Sequence, residues 1–198
     1  MNLQDLDYEP EDLDVTISEL LVATSDEADG AIDQSVPEVL RLLRDKMSMD
    51  VVFVSEFTGG KRVFRHVENR PGKGVVAAGD GDPLEETWCQ RVVDGRLPQY
   101  IGDAGKLPAA APLLEKLPFP IGTHISTPIV LKDGEVYGTL CAFSFAPNET
   151  TNHGDLKRLQ FTAQLAAQKI DKQRLADLVR PPQPELSLAP VEPHLHRK

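Results

Sequence analysis

The sequence predicts an α+β protein built on an antiparallel β-sheet with helices on both sides. Two observations lead to this fold class. Predicted helices are followed by two strands, crossover helices, a β-hairpin and a long final helix, and an antiparallel sheet accommodates that order. The hairpin, residues 122–145, has two faces of different chemistry. One face suits packed helices, and the other suits a pocket for a small molecule.

The hairpin turn is predicted at Asp133-Gly134, because a two-residue type I′ turn needs positive φ at positions that Asp and Gly tolerate. Counting outward pairs Lys132 with Glu135, Leu131 with Val136, Ile129 with Gly138, Thr127 with Leu140, and Ile125 with Ala142. Side chains alternate between the faces of a strand. One face is therefore aliphatic, with Ile125, Ile129, Leu131, Val136, Leu140 and Ala142. The opposite, mixed face receives His124, Ser126, Val130, Tyr137, Thr139, Cys141 and Phe143.

The elements before the hairpin follow from capping and periodicity. Capping-box spacing at Thr16 predicts a short helix to Ala23, and the same spacing at Ser35 predicts an amphipathic helix to about Ser48. Two strands, 51–57 and 62–67, are joined by a Gly-Gly turn and followed by a loop over 69–81. Asp82 is predicted to cap a helix that ends at Gly95 and carries the stripe Leu84, Trp88 and Val92. A short strand at 100–101 and a short helix at 110–116 precede the hairpin.

The final helix is predicted from a cap at Thr151 or Asn152 to about Leu178, a length of roughly 40 Å. Two apolar stripes run along it. One, at heptad-like spacing, contains Leu156, Leu159, Ala163, Ala166 and Ile170, and the other contains Phe161 and Leu165. One stripe is expected to cover the sheet. The other is expected to meet a partner helix, which favours a homodimer.

Composition divides the 198 residues into three parts. Twelve of the 31 acidic residues precede Arg41, the first basic residue, so the net charge of −10 belongs to the N-terminal segment. We expect an acidic, flexible N-terminus over 1–14, a single domain over 15–178, and a Pro-rich disordered tail over 179–198. The absence of a basic stripe argues against nucleic-acid binding. The absence of a long apolar run and of a signal peptide argues for a cytoplasmic protein without a membrane span.

Several short motifs together carry a family resemblance. They are Trp88-Cys89-Gln90, Asp94-Gly95-Arg96-Leu97-Pro98, Ile101-Gly102-Asp103-Ala104, Pro128, Asp133-Gly134 and Gly138-Thr139-Leu140-Cys141. Over about residues 35–175 the chain resembles a GAF domain, the bacterial sensory module of histidine kinases and cyclic-di-GMP signalling proteins. The resemblance implies terminal helices on one side of the sheet, as in GAF/PAS-like folds, with crossover helices and loops over a pocket on the other. It also implies a ligand-responsive, non-enzymatic domain that is commonly dimeric. Here that domain is either an excised sensor or a standalone one that acts through a separate output protein.

The candidate ligand pocket comprises Trp88, Cys89, His124, Ser126, Tyr137, Thr139, Cys141 and Phe143. All but Phe143 have a plain structural alternative: Trp88 and the two cysteines as core, His124 as a strand-edge residue, and the hydroxyl groups bonded to backbone or loop atoms. The pocket ligand itself is left unidentified, and a ligand-free module that serves only as a dimerisation or docking scaffold is a further alternative. No metal site is expected, since capping roles account for Asp82 and Glu85.

The two cysteines leave three chemical alternatives open. A reversible disulfide between Cys89 and Cys141 would make a redox switch, and a thiolate enzyme of the methionine sulfoxide reductase kind would use the same pair. A helix cysteine in GAF photoreceptors anchors a bilin and is usually followed by His, but Gln90 stands here. The Asn-Lys-x-Phe-Asp-Glu signature of cyclic-nucleotide GAF domains is absent.

Overall fold

A computed structural model of the protein describes residues 15–19 and 32–179. In that part of the chain, six strands form one sheet in the order β3-β2-β1-β6-β5-β4, and every neighbouring pair is antiparallel. The strands are β1 (Val51–Thr58), β2 (Lys61–Asn69), β3 (Gly81–Pro83), β4 (Tyr100–Ile101), β5 (His124–Val130) and β6 (Val136–Phe143). The predicted α+β class is confirmed.

Helices flank the sheet on both sides. They are α1 (15–19), α2 (Ile32–Lys46), α3 (Trp88–Val93), α4 (Ala111–Leu114) and α5 (His153–Val179), with 3-10 turns at Leu84–Glu86, Ala104–Lys106 and Pro108–Ala110. The side chain of Asn152 accepts a hydrogen bond from the Gly154 N–H at 2.7 Å, as the predicted cap of the long helix requires. Among the described helices, none has both the length and the apolar character needed to cross a membrane.

Two hydrophobic clusters lie on opposite faces of the sheet. The helix-side core joins the sheet to α2 and α5 through residues such as Leu43, Ile125, Leu140 and Leu159. The front core joins it to α3, α4 and their loops through Phe53, Trp88, Cys141, Phe143 and others. The aliphatic face therefore lies beneath the terminal helices, as predicted, with Ile125, Ile129, Leu131, Leu140 and Ala142 all in the helix-side core.

The hairpin turn differs from the prediction. The Leu131 N–H donates to the Glu135 carbonyl at 2.8 Å and the Gly134 N–H to the Leu131 carbonyl at 2.9 Å, which closes a three-residue loop over 132–134. Gly134, at φ 88°, takes the left-handed position that such loops require. The predicted pairs of Lys132 with Glu135 and of Leu131 with Val136 are therefore wrong.

A β-bulge restores the predicted register beyond this loop. Val130 pairs with Val136 and Ile129 with Gly138, so Tyr137 is an extra residue on β6. From Ile129 to His124 the pairing then follows the prediction, including Ile125 with Ala142. The bulge turns Tyr137 toward the helices, where it packs on the helix-side core. The predicted place of Tyr137 on the mixed face is therefore wrong. Val130, also predicted on that face, is exposed.

Two predicted helix starts also need correction. Helix α2 begins at Ile32, so Ser35 is not its cap, and Pro37 lies inside the helix, where its ring removes one backbone hydrogen bond. Asp82 lies in β3, which pairs with β2, and the cap of α3 is Thr87, whose Oγ1 accepts from the Gln90 N–H at 3.1 Å. The predicted tail over 179–198 begins one residue too early, since Val179 is the last residue of α5. The rest of that tail, the predicted segment 1–14 and the end of the first helix at Ala23 lie outside the described residues.

Candidate functional site

A cavity of about 390 Å³ lies between the front face of the sheet, helix α3 and the loops after β2 and α4. Strands β1, β2, β5 and β6 supply its floor, and α3 supplies one wall. The lining residues are Phe53, Arg62, Phe64, Val75, Val76, Asp80, Gly81, Asp82, Trp88, Cys89, Leu117, Pro118, Phe119, Ile121, His124 and Phe143. Its volume falls within the range of roughly 300–1,000 Å³ typical of small-molecule sites.

Aromatic rings form much of the apolar surface. Phe119 stacks on Phe143 with ring centroids 5.6 Å apart and planes 4° from parallel. Phe53 meets Phe64 edge to face at 4.8 Å. Both arrangements are ones that aromatic pairs prefer, and together they give the cavity flat apolar walls suited to a planar guest.

Arg62 brings a charge into this apolar site. Its side chain is 12% exposed, and its guanidinium carbon lies 4.2 Å from the centroid of the Phe64 ring, a cation–π contact. One terminal nitrogen pairs with the Asp82 carboxylate, and the other lies 3.7 Å from the Cys89 sulfur. The guanidinium thus links the mouth of the cavity to the thiol at its base.

His124 and Trp88 lie side by side in the cavity wall. Their ring centroids are 5.1 Å apart, and they are only 2% and 5% exposed. Burial, and then the charge of Arg62, lower the pKa of His124 from 6.5 to about 3. The imidazole is therefore neutral at physiological pH, with one nitrogen able to donate and the other able to accept.

The two cysteines lie in contact at the base of the cavity, with Cys89 in its lining and Cys141 just behind it. Their sulfur atoms are 3.6 Å apart and both side chains are fully buried. Helix α3 carries Cys89, and β6 carries Cys141, which also contacts the Ser126 hydroxyl at 2.9 Å and donates to Thr139 Oγ1 at 3.2 Å.

The thiols titrate as a pair. Burial raises the pKa of Cys89, but the hydrogen bond with Cys141, the charge and hydrogen bond of Arg62 and the hydrogen bond with Thr139 together outweigh burial and lower that pKa to about 5. Burial, followed by the hydrogen bond and charge of Cys89, raises the pKa of Cys141 well above its usual value. One proton therefore leaves the pair readily while the second is retained.

The structure separates the eight predicted pocket residues into three groups. Four line the cavity: Trp88, Cys89, His124 and Phe143. Three lie in the buried layer just behind it on the same face: Ser126, Thr139 and Cys141. Tyr137 lies on the opposite side of the sheet, beside Arg174 of α5, because of the bulge in β6.

The sequence prediction missed Arg62, Phe64, Asp82 and Phe119. Arg62 and Phe64 are two positions apart in β2, so they lie on the same face of the sheet. The sequence of the strand does not indicate whether that face is the one beneath the cavity. Asp82 was taken for a helix cap. Phe119 lies in a Pro-rich loop without periodicity. Among the described residues, no cluster of three or more His, Cys, Asp or Glu side chains could hold a metal ion.

Comparison with known proteins agrees with this architecture. The family model described as GAF domain matches residues 31–171, so the chain belongs to the GAF domain family. GAF domains are generally signalling and sensing modules. A comparison with curated proteins gives no match.

Solved structures, two of them of GAF domains, show the same fold at low sequence identity. The GAF domain from an Acinetobacter phosphoenolpyruvate-protein phosphotransferase is 13% identical with a TM-score of 0.63, and the match covers 85% of this chain and 97% of that one. The phycocyanobilin-bound GAF domain from a cyanobacterial phytochrome is 12% identical with a TM-score of 0.67, covering 82% and 96%. Free methionine-R-sulfoxide reductase from Neisseria meningitidis, solved with its substrate, is 17% identical with a TM-score of 0.58, covering 81% and 89%.

Proposed function

We propose that this GAF domain is a non-catalytic, cytoplasmic sensor that binds a small molecule in the front cavity and signals through its terminal helices as a homodimer. The observation that carries the proposal is the cavity itself. It combines aromatic walls with a small number of polar side chains in the lining, among them those of Arg62, Trp88 and His124. A mostly apolar site with a few converging polar groups is the usual construction of a ligand pocket.

Strand β6 gives the occupied cavity a physical route to the helices. Phe143 lines the cavity, whereas its neighbour Ala142 belongs to the helix-side core, which joins the sheet to α2 and α5. A guest that shifts β6 therefore changes the surface on which the terminal helices lie. The signal is a shift in population between two helix packings, and its size is set by how much better the ligand binds one of them.

Native mass spectrometry of the protein purified from its own host tests both parts of this proposal. We expect a dimer that carries a bound small molecule, and we expect the bound mass to be lost from a variant whose cavity is blocked by Val76→Trp. Val76 lines the cavity and packs against the front core. A ligand-free monomer from the native host would overturn the proposal.

A second candidate function, a thiol redox switch, is favoured by the 3.6 Å contact between the Cys89 and Cys141 sulfurs. Hydrogen peroxide is small enough to be the oxidant at a buried site. The Cys89 thiolate would attack one peroxide oxygen and release hydroxide, which leaves a sulfenic acid. The Cys141 sulfur would then displace that oxygen as water, so that two thiols and one peroxide give one disulfide and two waters.

Peroxide treatment followed by intact-mass measurement tests this switch. The wild-type chain should lose the mass of two hydrogens and recover it with a thiol reductant, whereas Cys141→Ala should gain oxygen instead. Turnover of free methionine sulfoxide with a thiol reductant would identify a reductase rather than a switch. Oxygen addition to the wild-type chain without disulfide formation would exclude both roles for the pair.

A further inference from the structure

The charged side chains around the front cavity give its lining a net negative charge. Among the described residues, Arg62 is the only cation of that lining, whereas Asp80 and Asp82 each contribute a carboxylate. His124 adds no positive charge, because its imidazole is neutral at physiological pH. The lining therefore has one more negative than positive charge when the Cys89 thiol keeps its proton, and two more when it does not. Either state repels an anionic guest and attracts a cationic one.

The aromatic rings of the cavity favour the same sign of charge. The face of an aromatic ring is partially negative, so it attracts cations. The chain already uses this attraction: the guanidinium carbon of Arg62 lies 4.2 Å from the centroid of the Phe64 ring and 5.8 Å from that of Phe53. Lys73 Nζ lies 5.4 Å from the centroid of Phe145, which packs against the front core. The front cavity thus stabilises one planar cation supplied by the chain itself.

One carboxylate and two rings of the lining are left for a cation from outside. Asp82 pairs with Arg62, but within the described part of the chain Asp80 forms no ion pair, and its carboxylate accepts a hydrogen bond from the Ala77 N–H at 3.3 Å. A carboxylate can accept several such bonds. The parallel rings of Phe119 and Phe143 have no cation–π contact with any described residue. The lining therefore supplies a counter-charge together with flat walls.

We infer that the ligand is a small planar organic cation, with its positive group at Asp80 and its ring against Phe119 and Phe143. This inference rests on the proposed sensing function and specifies the chemical class of the ligand. Aromatic amidinium ions and positively charged nitrogen heterocycles belong to this class. The volume of about 390 Å³ admits one or two rings with a short substituent. Arg62 stays paired with Asp82, so the charge of the guest is balanced by Asp80.

Probes of equal size separate the effect of charge from that of shape. Benzamidinium, benzamide and benzoate are flat and nearly identical in outline, and they are positive, neutral and negative. Each would be titrated into the full-length, reduced protein while the fluorescence of Trp88, the single tryptophan of the sequence and part of the lining, is followed. Benzamidinium should bind about fivefold more tightly than benzamide, the effect of one exposed ion pair, and benzoate should bind most weakly. Cyclohexanecarboxamidinium, which keeps the charge but not the flat ring, should bind at least about threefold more weakly than benzamidinium.

A substitution at the mouth of the cavity assigns the charge effect to one side chain. Asp80→Asn removes the carboxylate but keeps an oxygen for the Ala77 N–H, and it should bring benzamidinium and benzamide to within about twofold of each other. Asp133→Asn is the matched control, because Asp133 is an exposed aspartate at the tip of the hairpin, where its carboxylate accepts from the Glu135 N–H. That variant should retain the fivefold preference. Thermal unfolding of both variants checks that they fold.

The outcomes separate this inference from the function on which it rests. Equal affinity for benzamidinium and benzamide in the wild-type protein, no binding of benzamidinium, or a cation preference that survives in folded Asp80→Asn would overturn the ligand class. A guest without a positive charge in host-purified protein would also overturn the class while leaving the sensor role intact. Absence of any guest from the host-purified protein would remove the sensor role itself.

Discussion

Gly138 lies where two central strands approach most closely, and replacing it with Ala should strongly destabilise the fold. A Cβ built on Gly138 would lie 1.9 Å from the Ser55 carbonyl oxygen and 2.7 Å from its carbonyl carbon. Both are backbone atoms of β1, so no side-chain rotation relieves the overlap. Strands β1 and β6 would have to separate at the point where Glu56 pairs with Gly138.

The cost follows from what this separation breaks. Relieving the overlap requires a shift of more than an ångström, and overpacking of this kind costs about 1–3 kcal/mol. The neighbouring Ser55–Thr139 hydroxyl contact of 2.9 Å and one ladder hydrogen bond would be weakened as well, at about 1 kcal/mol each. The expected loss is about 4 kcal/mol, a large share of the roughly 5–15 kcal/mol that stabilises a domain.

Urea unfolding of the reduced protein measures this loss. Gly102→Ala is the matched control, because its added Cβ would lie 3.4 Å from the Tyr100 hydroxyl, an ordinary contact. We expect the control to change the free energy of unfolding by less than about 1 kcal/mol. A similarly small change for Gly138→Ala would refute the reasoning, since it would mean that the two strands yield freely.

Three further predictions test the other parts of the site. His124 has a folded-state pKa of about 3 against 6.5 for the free group, so at a pH between these values the unfolded chain binds a proton that the folded chain does not. The wild-type free energy of unfolding, compared with that of His124→Asn, should therefore fall as the pH drops below 6.5, by up to about 1.4 kcal/mol per pH unit. Tyr137→Phe should leave the bound mass in native mass spectrometry of host-purified protein unchanged, because Tyr137 lies behind the sheet. Loss of that bound mass would contradict this placement. Leu140→Ala, at a side chain 1% exposed in the helix-side core, should cost about 2–5 kcal/mol in urea unfolding, and a loss below about 1 kcal/mol would argue against tight packing there.

The sequence predicted the two-faced sheet because alternation along β5 and β6 is a local property. Ile125, Leu140 and Ala142 differ in kind from His124 and Cys141, so the division between core and cavity could be seen without coordinates. Capping patterns were a weaker guide. Asp82-Pro83 has the composition of a helix start, yet β2 recruits those residues as an edge strand, and tertiary pairing outweighs a local cap that contributes about 1 kcal/mol.

The cavity could be predicted only in part, since its polar centre depends on long-range contacts. Arg62 reaches Cys89 across 27 positions of sequence, and Phe119 reaches Phe143 from a loop. Neither contact leaves a periodic trace in the chain. Tyr137 was misplaced for a local reason. Strict alternation along β6 puts it on the mixed face, but the bulge turns it to the helix side of the sheet.

The irregularities at the tip of the hairpin give this region some freedom to change in length. The loop has one residue more than a minimal turn, and β6 has one residue more than β5 requires. Deleting the bulge residue Tyr137 would leave Val136 opposite Val130 and Gly138 opposite Ile129, so every later side chain would keep its face of the sheet. Deleting one loop residue would leave Leu131 opposite Glu135 across a two-residue turn, so the loss of a single residue at either place should be tolerated without a shift in register.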